Sequence, residues 1–351
     1  MLSFTRKRQD EIEGRSPREP GFARGRRPRI GLALGAGAAR GWAHIGVLKE
    51  LVDQNLVPDI VVGTSIGAVV GGCFAGGKFA QIESFALSLT RRSMLSWMDV
   101  SFNGGGLLGG NRLKRRLDQE LSDLIIESLP VRFAAVATEI GTGHEIWLTR
   151  GRLADSLRAS YALPGVFEPV QLGGRWLFDG ALVNPVPVTV CRAFGADLVI
   201  AINLSEPLGG RGTVIQDAGL GALDLIEAAA TTDVVEAQAN PRPAKPVGTL
   251  SGMLSGLGGY AGLIRRQFSR PANGSPGVAS VMVDAFYIVQ DRIARSRLAG
   301  DPPDVMITPR MGKIGLFDFH RADEMIAIGR DATRKAMDEV LQLIAVRHRT
   351  A

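Results

Sequence analysis

Three short segments carry residue types that could do chemistry together: Gly35-Ala36-Gly37-Ala38-Ala39-Arg40-Gly41, Gly63-Thr64-Ser65-Ile66-Gly67 and Asp179-Gly180-Ala181. The second is a G-x-S-x-G. At a strand-to-helix elbow this pattern forces the central serine into strained backbone geometry and exposes it at the carboxyl end of the strand. Gly63 and Gly67 are small because strand and helix approach closely there. The positive end of the following helix favours negative charge developing on an attacking hydroxyl. A Gly-rich packing turn would share this composition. The apolar strand pattern before Ser65 and the helical pattern after it favour a nucleophile.

The first segment fits a dinucleotide fingerprint poorly, because G-x-G-x-x-G/A would put Arg40 at the third small position. No acidic residue ends the second strand, since Asp59 begins it. A phosphate-binding Walker loop also fails, as no Gly-Lys-Ser/Thr follows. What remains is a row of backbone N–H groups before a helix, suited to holding an oxyanion. Arg40 would pin that loop or bind an anionic group. The third segment supplies a carboxylate, and an acyl-transfer serine needs a base. The late histidines are His320, at the start of the last helix, and His348, in a charged tail. Neither lies in a small-residue loop, whereas Asp179 does, so a Ser–Asp pair without histidine is the simpler reading.

The elements that must position these segments alternate between strand and helix. Strands are expected at 29–34, 59–62, 132–140, 144–149, 198–204 and 304–308. Helices are expected at 42–55, 66–75, 79–90, 111–121, 153–160, 281–298 and 320–347. Such alternation implies an α/β fold with a mainly parallel sheet covered on both faces. Residues 206–280 are rich in glycine and proline and read as a lid-like insertion with one helical piece near 220–239. No internal repeat is evident.

Composition excludes several classes. The chain has 351 residues, a net charge of +6 and 45% hydrophobic residues, a core-forming balance. Two cysteines, Cys73 and Cys191, rule out a disulfide scaffold, and both read as core residues. Four histidines without metal spacing and no calcium-loop pattern imply chemistry without a metal. No apolar run is long enough to span a membrane and no secretory signal opens the chain, so a cytoplasmic location is expected. Residues 1–30 hold nine basic side chains against four acidic, nearly the whole net charge. That tail is read as disordered and solvated, with a loose contact to anionic lipid as the functional alternative. A short basic tail on a near-neutral body argues against nucleic acid.

In order and spacing the three segments resemble the patatin-like phospholipases, bacterial cytoplasmic branch. The resemblance covers about residues 28–205 strongly and 279–330 more weakly. It implies a three-layer patatin-like fold over 29–345, flanked by a tail at 1–28 and another at 346–351. It implies a serine lipid acyl hydrolase working through an acyl-enzyme, without a cofactor. Residue by residue, Ser65 is similar to the family nucleophile and Asp179 to its base. Gly35, Ala36, Gly37 and Ala38 resemble the oxyanion loop, with Arg40, Gly41, Gly63, Gly67 and Gly180 as supporting motif positions. Alanines at 36 and 38 stand where many members have glycine, and alanine asks for more ordinary dihedral angles. An acyltransferase or thioesterase would use the same pair. A scaffold that binds partners through the insertion is the reading of another class, and intact Ser65 and Asp179 argue against it. Residues 104–110 read as a flexible turn and 160–167 as core or an acyl-chain wall. The apolar residues of the insertion, from Met253 to Ile264, read as a lipid-touching lid or a contact loop.

Overall fold

The computed structural model describes residues 27–91, 106–108, 111–121, 123–205, 278–312 and 314–350. The expectations for the N-terminal tail, the helix near 220–239 and the apolar residues of the insertion therefore lie outside the described residues. Strand β1 (Ile30–Leu34) leads through a 3-10 turn (Ala38–Trp42) into α1 (Ala43–Asp53). Strand β2 (Ile60–Thr64) leads into α2 (Ile66–Ala75) and α3 (Phe79–Ser88). Then come β3 (Gly106–Leu108), α4 (Asn111–Leu121), β4 (Arg132–Glu139), β5 (Glu145–Leu148) and α5 (Leu153–Ser160). Three short strands follow, β6 (Gly165–Phe167), β7 (Val170–Leu172) and β8 (Arg175–Asp179), then α6 (Val188–Ala193) and β9 (Leu198–Ile202). The C-terminal part supplies α7 (Val278–Gly300), β10 (Val305–Ile307) and α8 (Ala322–Thr350).

Eight strands form one sheet, in the order β10-β9-β1-β2-β4-β8-β7, with β5 paired to β4. The pairs from β10 through β4 are parallel; β4–β8, β8–β7 and β4–β5 are antiparallel. The parallel strands read as continuous apolar runs because both their faces are buried. Leu32, Leu34, Val61, Phe133 and Ile200 enter one core with α1, α2 and α8. Their neighbours Ala33, Val62, Ala134, Val136 and Val199 enter a second core with α6 and Ala294 of α7. Adjacent residues of one strand thus feed opposite cores, and the result is three layers. Cys73 and Cys191 are both buried, one in each core.

Some local expectations are corrected. Residues 106–108, read as part of a flexible turn, form β3 and pair in parallel with β6. Strands β6 and β7 and the six-residue α6 were not foreseen. Each is too short for a periodic pattern, and β6 owes its definition to a distant strand, β3. The last helix begins at Ala322, after a 3-10 turn over Phe319–Arg321.

Helix α8 crosses α1 at backbone contact. A Cβ added at Gly46 would lie 1.9 Å from the Ile326 carbonyl oxygen, and one at Gly329 would lie 2.1 Å from that of Ala43. Beside this crossing the buried Glu50 accepts hydrogen bonds from Arg330 and Arg334, at 3.1 Å each from its Oε2. A methyl group cannot enter without separating the helices, and overpacking of this kind costs about 1–3 kcal/mol or more. Gly46→Ala is therefore expected to lower the unfolding free energy measured by urea titration by at least that amount.

Candidate active site

The sheet register brings the second and third motifs together. Strand β2 runs along β4 up to the pair Thr64↔Val136, and β8 meets β4 from the pair Ala137↔Asp179. Ser65 leaves β2 where Asp179 arrives. The Ser65 hydroxyl donates to Asp179 Oδ2 at 2.6 Å, and Oδ1 accepts from the Ala181 N–H at 2.9 Å.

The elbow at Ser65 has φ 58°, ψ −125°, in a region few non-glycine residues occupy. Close packing holds it there. A Cβ at Gly63 would lie 2.4 Å from the backbone of Ala68, and one at Gly67 would lie 2.2 Å from the Leu34 carbonyl oxygen. At Gly41 a Cβ would strike Ile66 at 2.1 Å, and at Gly180 the Val136 carbonyl at 2.2 Å. All four motif glycines therefore mark places where two segments touch. Ser65 sits at the N-cap of α2, with the positive end of that helix beside its hydroxyl.

Asp179 is 3% exposed. Burial pushes its carboxyl from 3.8 up to about 7, against the smaller opposing pull of the Ser65 hydroxyl and the Ala181 N–H. A carboxyl poised there can exchange a proton near neutrality.

The Gly-rich loop provides fewer free donors than its sequence suggests. The Gly35 N–H donates to the Ile202 carbonyl at 3.0 Å, and the Ala36 N–H to the Pro185 carbonyl at 2.9 Å. These two amides are withdrawn from the expected set of four. The N–H groups of Gly37 and Ala38 have no acceptor among the described residues, and both residues line the cavity that holds Ser65 and Asp179. The expectation of ordinary angles at Ala38 is also corrected, because its φ is 48°. Arg40 does not face outward. Its Nε donates to the Ile314 carbonyl at 3.1 Å and its guanidinium to the Tyr287 hydroxyl at 2.8 Å, tying the loop to the C-terminal part of the chain.

Several supporting residues gave no sequence signal, because their partners are distant. The Ser160 hydroxyl accepts from the Ser65 N–H at 3.0 Å and donates to the Val136 carbonyl at 2.6 Å. Thr64 donates to the Asn184 carbonyl and Thr138 to that of Asp179. His44, fully buried, bonds the Gly35 carbonyl through Nε2 at 2.7 Å. Burial pushes its pKa down to about 4, against a smaller upward pull from that carbonyl, so a neutral ring anchors the loop. His320 lies elsewhere, beside Arg91. Among the described residues no cluster of three His, Cys, Asp or Glu could hold a metal, and no helix is long and apolar enough to cross a membrane.

Two variants test the backbone argument. Ser160→Ala leaves the buried Ser65 N–H without a partner and is expected to cost about 1–3 kcal/mol in denaturant unfolding. Ala38→Gly removes the strain of a left-handed alanine, roughly 1–2 kcal/mol, so it is expected to melt no lower than wild type.

The family model described as patatin-like phospholipase matches residues 32–192. Uncharacterized NTE family proteins of Mycobacterium bovis and Mycobacterium tuberculosis are each 33% identical over 333 residues, covering 89% of this chain and 92% of theirs. A patatin-like phospholipase domain-containing protein of Caenorhabditis elegans is 34% identical over 183 residues, which are 50% of this chain and 14% of that protein. Among solved structures, VipD from Legionella pneumophila aligns with a TM-score of 0.43 and 13% identity, covering 89% of this chain and 67% of that one. With three motifs in the family's order and a relative matched over nearly its full length, the chain belongs to the patatin-like phospholipase family.

Proposed function

We propose that the protein is a serine lipid acyl hydrolase, of phospholipase A or lysophospholipase type, with Ser65 as nucleophile and Asp179 as base. The observation that carries this reading is the 2.6 Å hydrogen bond from the Ser65 hydroxyl to a carboxyl group kept out of water. As Ser65 Oγ bonds to the ester carbonyl carbon, its proton passes to Asp179 Oδ2. The carbonyl electron pair moves onto oxygen. The free N–H groups of Gly37 and Ala38 and the start of α2 stabilise that charge, one such donor contributing about 2.7–4 kcal/mol. The intermediate collapses, the alcohol leaves with the proton from Asp179, and the acyl group stays on Ser65. Water then gives a proton to Asp179 and attacks the acyl carbon. The carboxylic acid departs and Ser65 recovers its hydrogen.

The apolar side chains around the pair, Leu163, Phe286 and Leu316 among them, suit an acyl chain. The basic residues of 1–30 suit a loose contact with an anionic lipid surface.

Hydrolysis of p-nitrophenyl esters of increasing chain length, and of phospholipid vesicles, tests the proposal. Ser65→Ala and Asp179→Asn are each expected to lower kcat/KM by at least about a thousandfold. Equal activity in all three proteins would sink the assignment. For wild type, kcat/KM is expected to rise with pH along an acid limb centred near the Asp179 value of about 7. The stability effect runs the other way. The folded protein holds this proton more tightly than the unfolded chain, so the group's contribution is full below about pH 4 and is lost as pH rises through about 7. Asp179→Asn should therefore melt higher than wild type at about pH 8, which separates lost chemistry from lost folding.

A further inference from the structure

Helix α7 sets one face over the site. Val283, Phe286, Tyr287 and Gln290 follow the i, i+3, i+4, i+7 spacing, and all four line the cavity with Ser65 and Asp179. Val283 and Phe286 are hydrocarbon, and the Tyr287 hydroxyl is bonded to Arg40. Gln290 is different. It is 5% exposed, and among the described residues its side-chain amide has no hydrogen-bond partner. An amide brings two donors and an acceptor, and here they are open to the cavity rather than sealed in the packing. The cavity measures about 40 Å³, and Gln290 and Ser65 both line it, so one ligand in it can touch both side chains.

We propose that Gln290 is a specificity-determining residue: its amide hydrogen-bonds an oxygen, hydroxyl or carbonyl, that the preferred substrate carries close to the scissile ester. The inference rests on the reading of Ser65 and Asp179 as nucleophile and base. The oxygen has two sources, the acyl side or the alcohol side, and two matched pairs of esters distinguish them. Ethyl 3-hydroxybutyrate against ethyl butyrate places it on the acid. Glycerol 1-monobutyrate against propyl butyrate places it on the alcohol.

The readout is the ratio of kcat/KM for the polar ester to that for its apolar partner, in wild type and in Gln290→Met. One pair is expected to show a ratio that falls about fivefold to tenfold in the variant, the contribution of one hydrogen bond. That pair names the side on which the oxygen lies. Ratios that do not change in either pair overturn the proposal. A melting temperature of Gln290→Met close to wild type is expected, since the substitution removes no hydrogen bond among the described residues. A clear fall would show that Gln290 has a structural partner and would also overturn it. Calorimetric binding of the same esters to Ser65→Ala, with and without Gln290→Met, keeps the two readings apart. If wild type hydrolyses none of the esters, the nucleophile assignment fails while binding still judges Gln290. Discrimination lost with Gln290→Met supports its role, and no discrimination by Gln290 in binding either overturns it.

Discussion

Removing a carboxyl group from water takes away the hydration that keeps it acidic, and two hydrogen bonds restore only part of it. Asp179 lives under this constraint. It is 3% exposed, held by the Ser65 hydroxyl and the Ala181 N–H, and no cation pairs with it among the described residues. A salt-bridged aspartate would be too acidic to take a proton from serine, and a solvated one scarcely better. Burial without a countercharge lifts the carboxyl to about 7, where it can exchange a proton near neutrality. The same burial makes ionisation costly to the fold, so the surrounding packing has to hold the group in place. Thr138 fixes its backbone carbonyl, Ala162 accepts from its N–H, and Gly180 lets the next residue press against Val136.

Backbone strain is the second demand the site makes on the fold. Ser65 and Ala38 both sit at positive φ without being glycine, conformations that persist only where neighbours overdetermine them. Ser65 is overdetermined from three sides. Strand β2 enters it with both faces buried, Ser160 captures its N–H, and the contacts at Gly63 and Gly67 leave the turn no room to relax. Ala38 is held between Gly35 and Ala36, whose amides are anchored to Ile202 and Pro185, and Arg40, whose side chain reaches Ile314. The eight-stranded sheet and the α1–α8 crossing provide the rigid frame these strained residues need.

Much of this was legible in the sequence, and what was not has a physical reason. The parallel strands showed because burial on both faces makes them continuous apolar runs. The long helices showed by their periodicity, and α2 over Ile66–Ala75 matches its expected bounds residue for residue. The motifs showed because close approach demands glycine at particular spacings. Residues 165–172 did not show as strands, since three-residue strands owe their existence to pairing rather than to pattern. The glycine-rich loop was read too generously for a related reason. Nothing local to Gly35 or Ala36 reveals that carbonyls near residues 185 and 202 claim their amides. Ser160 and Gln290 belong to the same class, polar side chains whose meaning depends on what lies opposite them.

Helix α7 ties these points together, because it comes from the far end of the described chain and still walls the cavity. Arg40 donates to the Tyr287 hydroxyl of α7 and stands over its ring at 5.6 Å, while lying two residues from the free N–H of Ala38. The cavity measures about 40 Å³, too small for a long acyl chain to be enclosed. Phe317 lines it and is 43% exposed, so its mouth is apolar toward the surface. A long chain therefore either runs out past Phe317 or displaces α7. Displacing α7 breaks the Arg40–Tyr287 bond and loosens the loop that carries the free N–H groups. On the proposed reading, the size of acyl chain admitted and the quality of oxyanion stabilisation are coupled through one arginine.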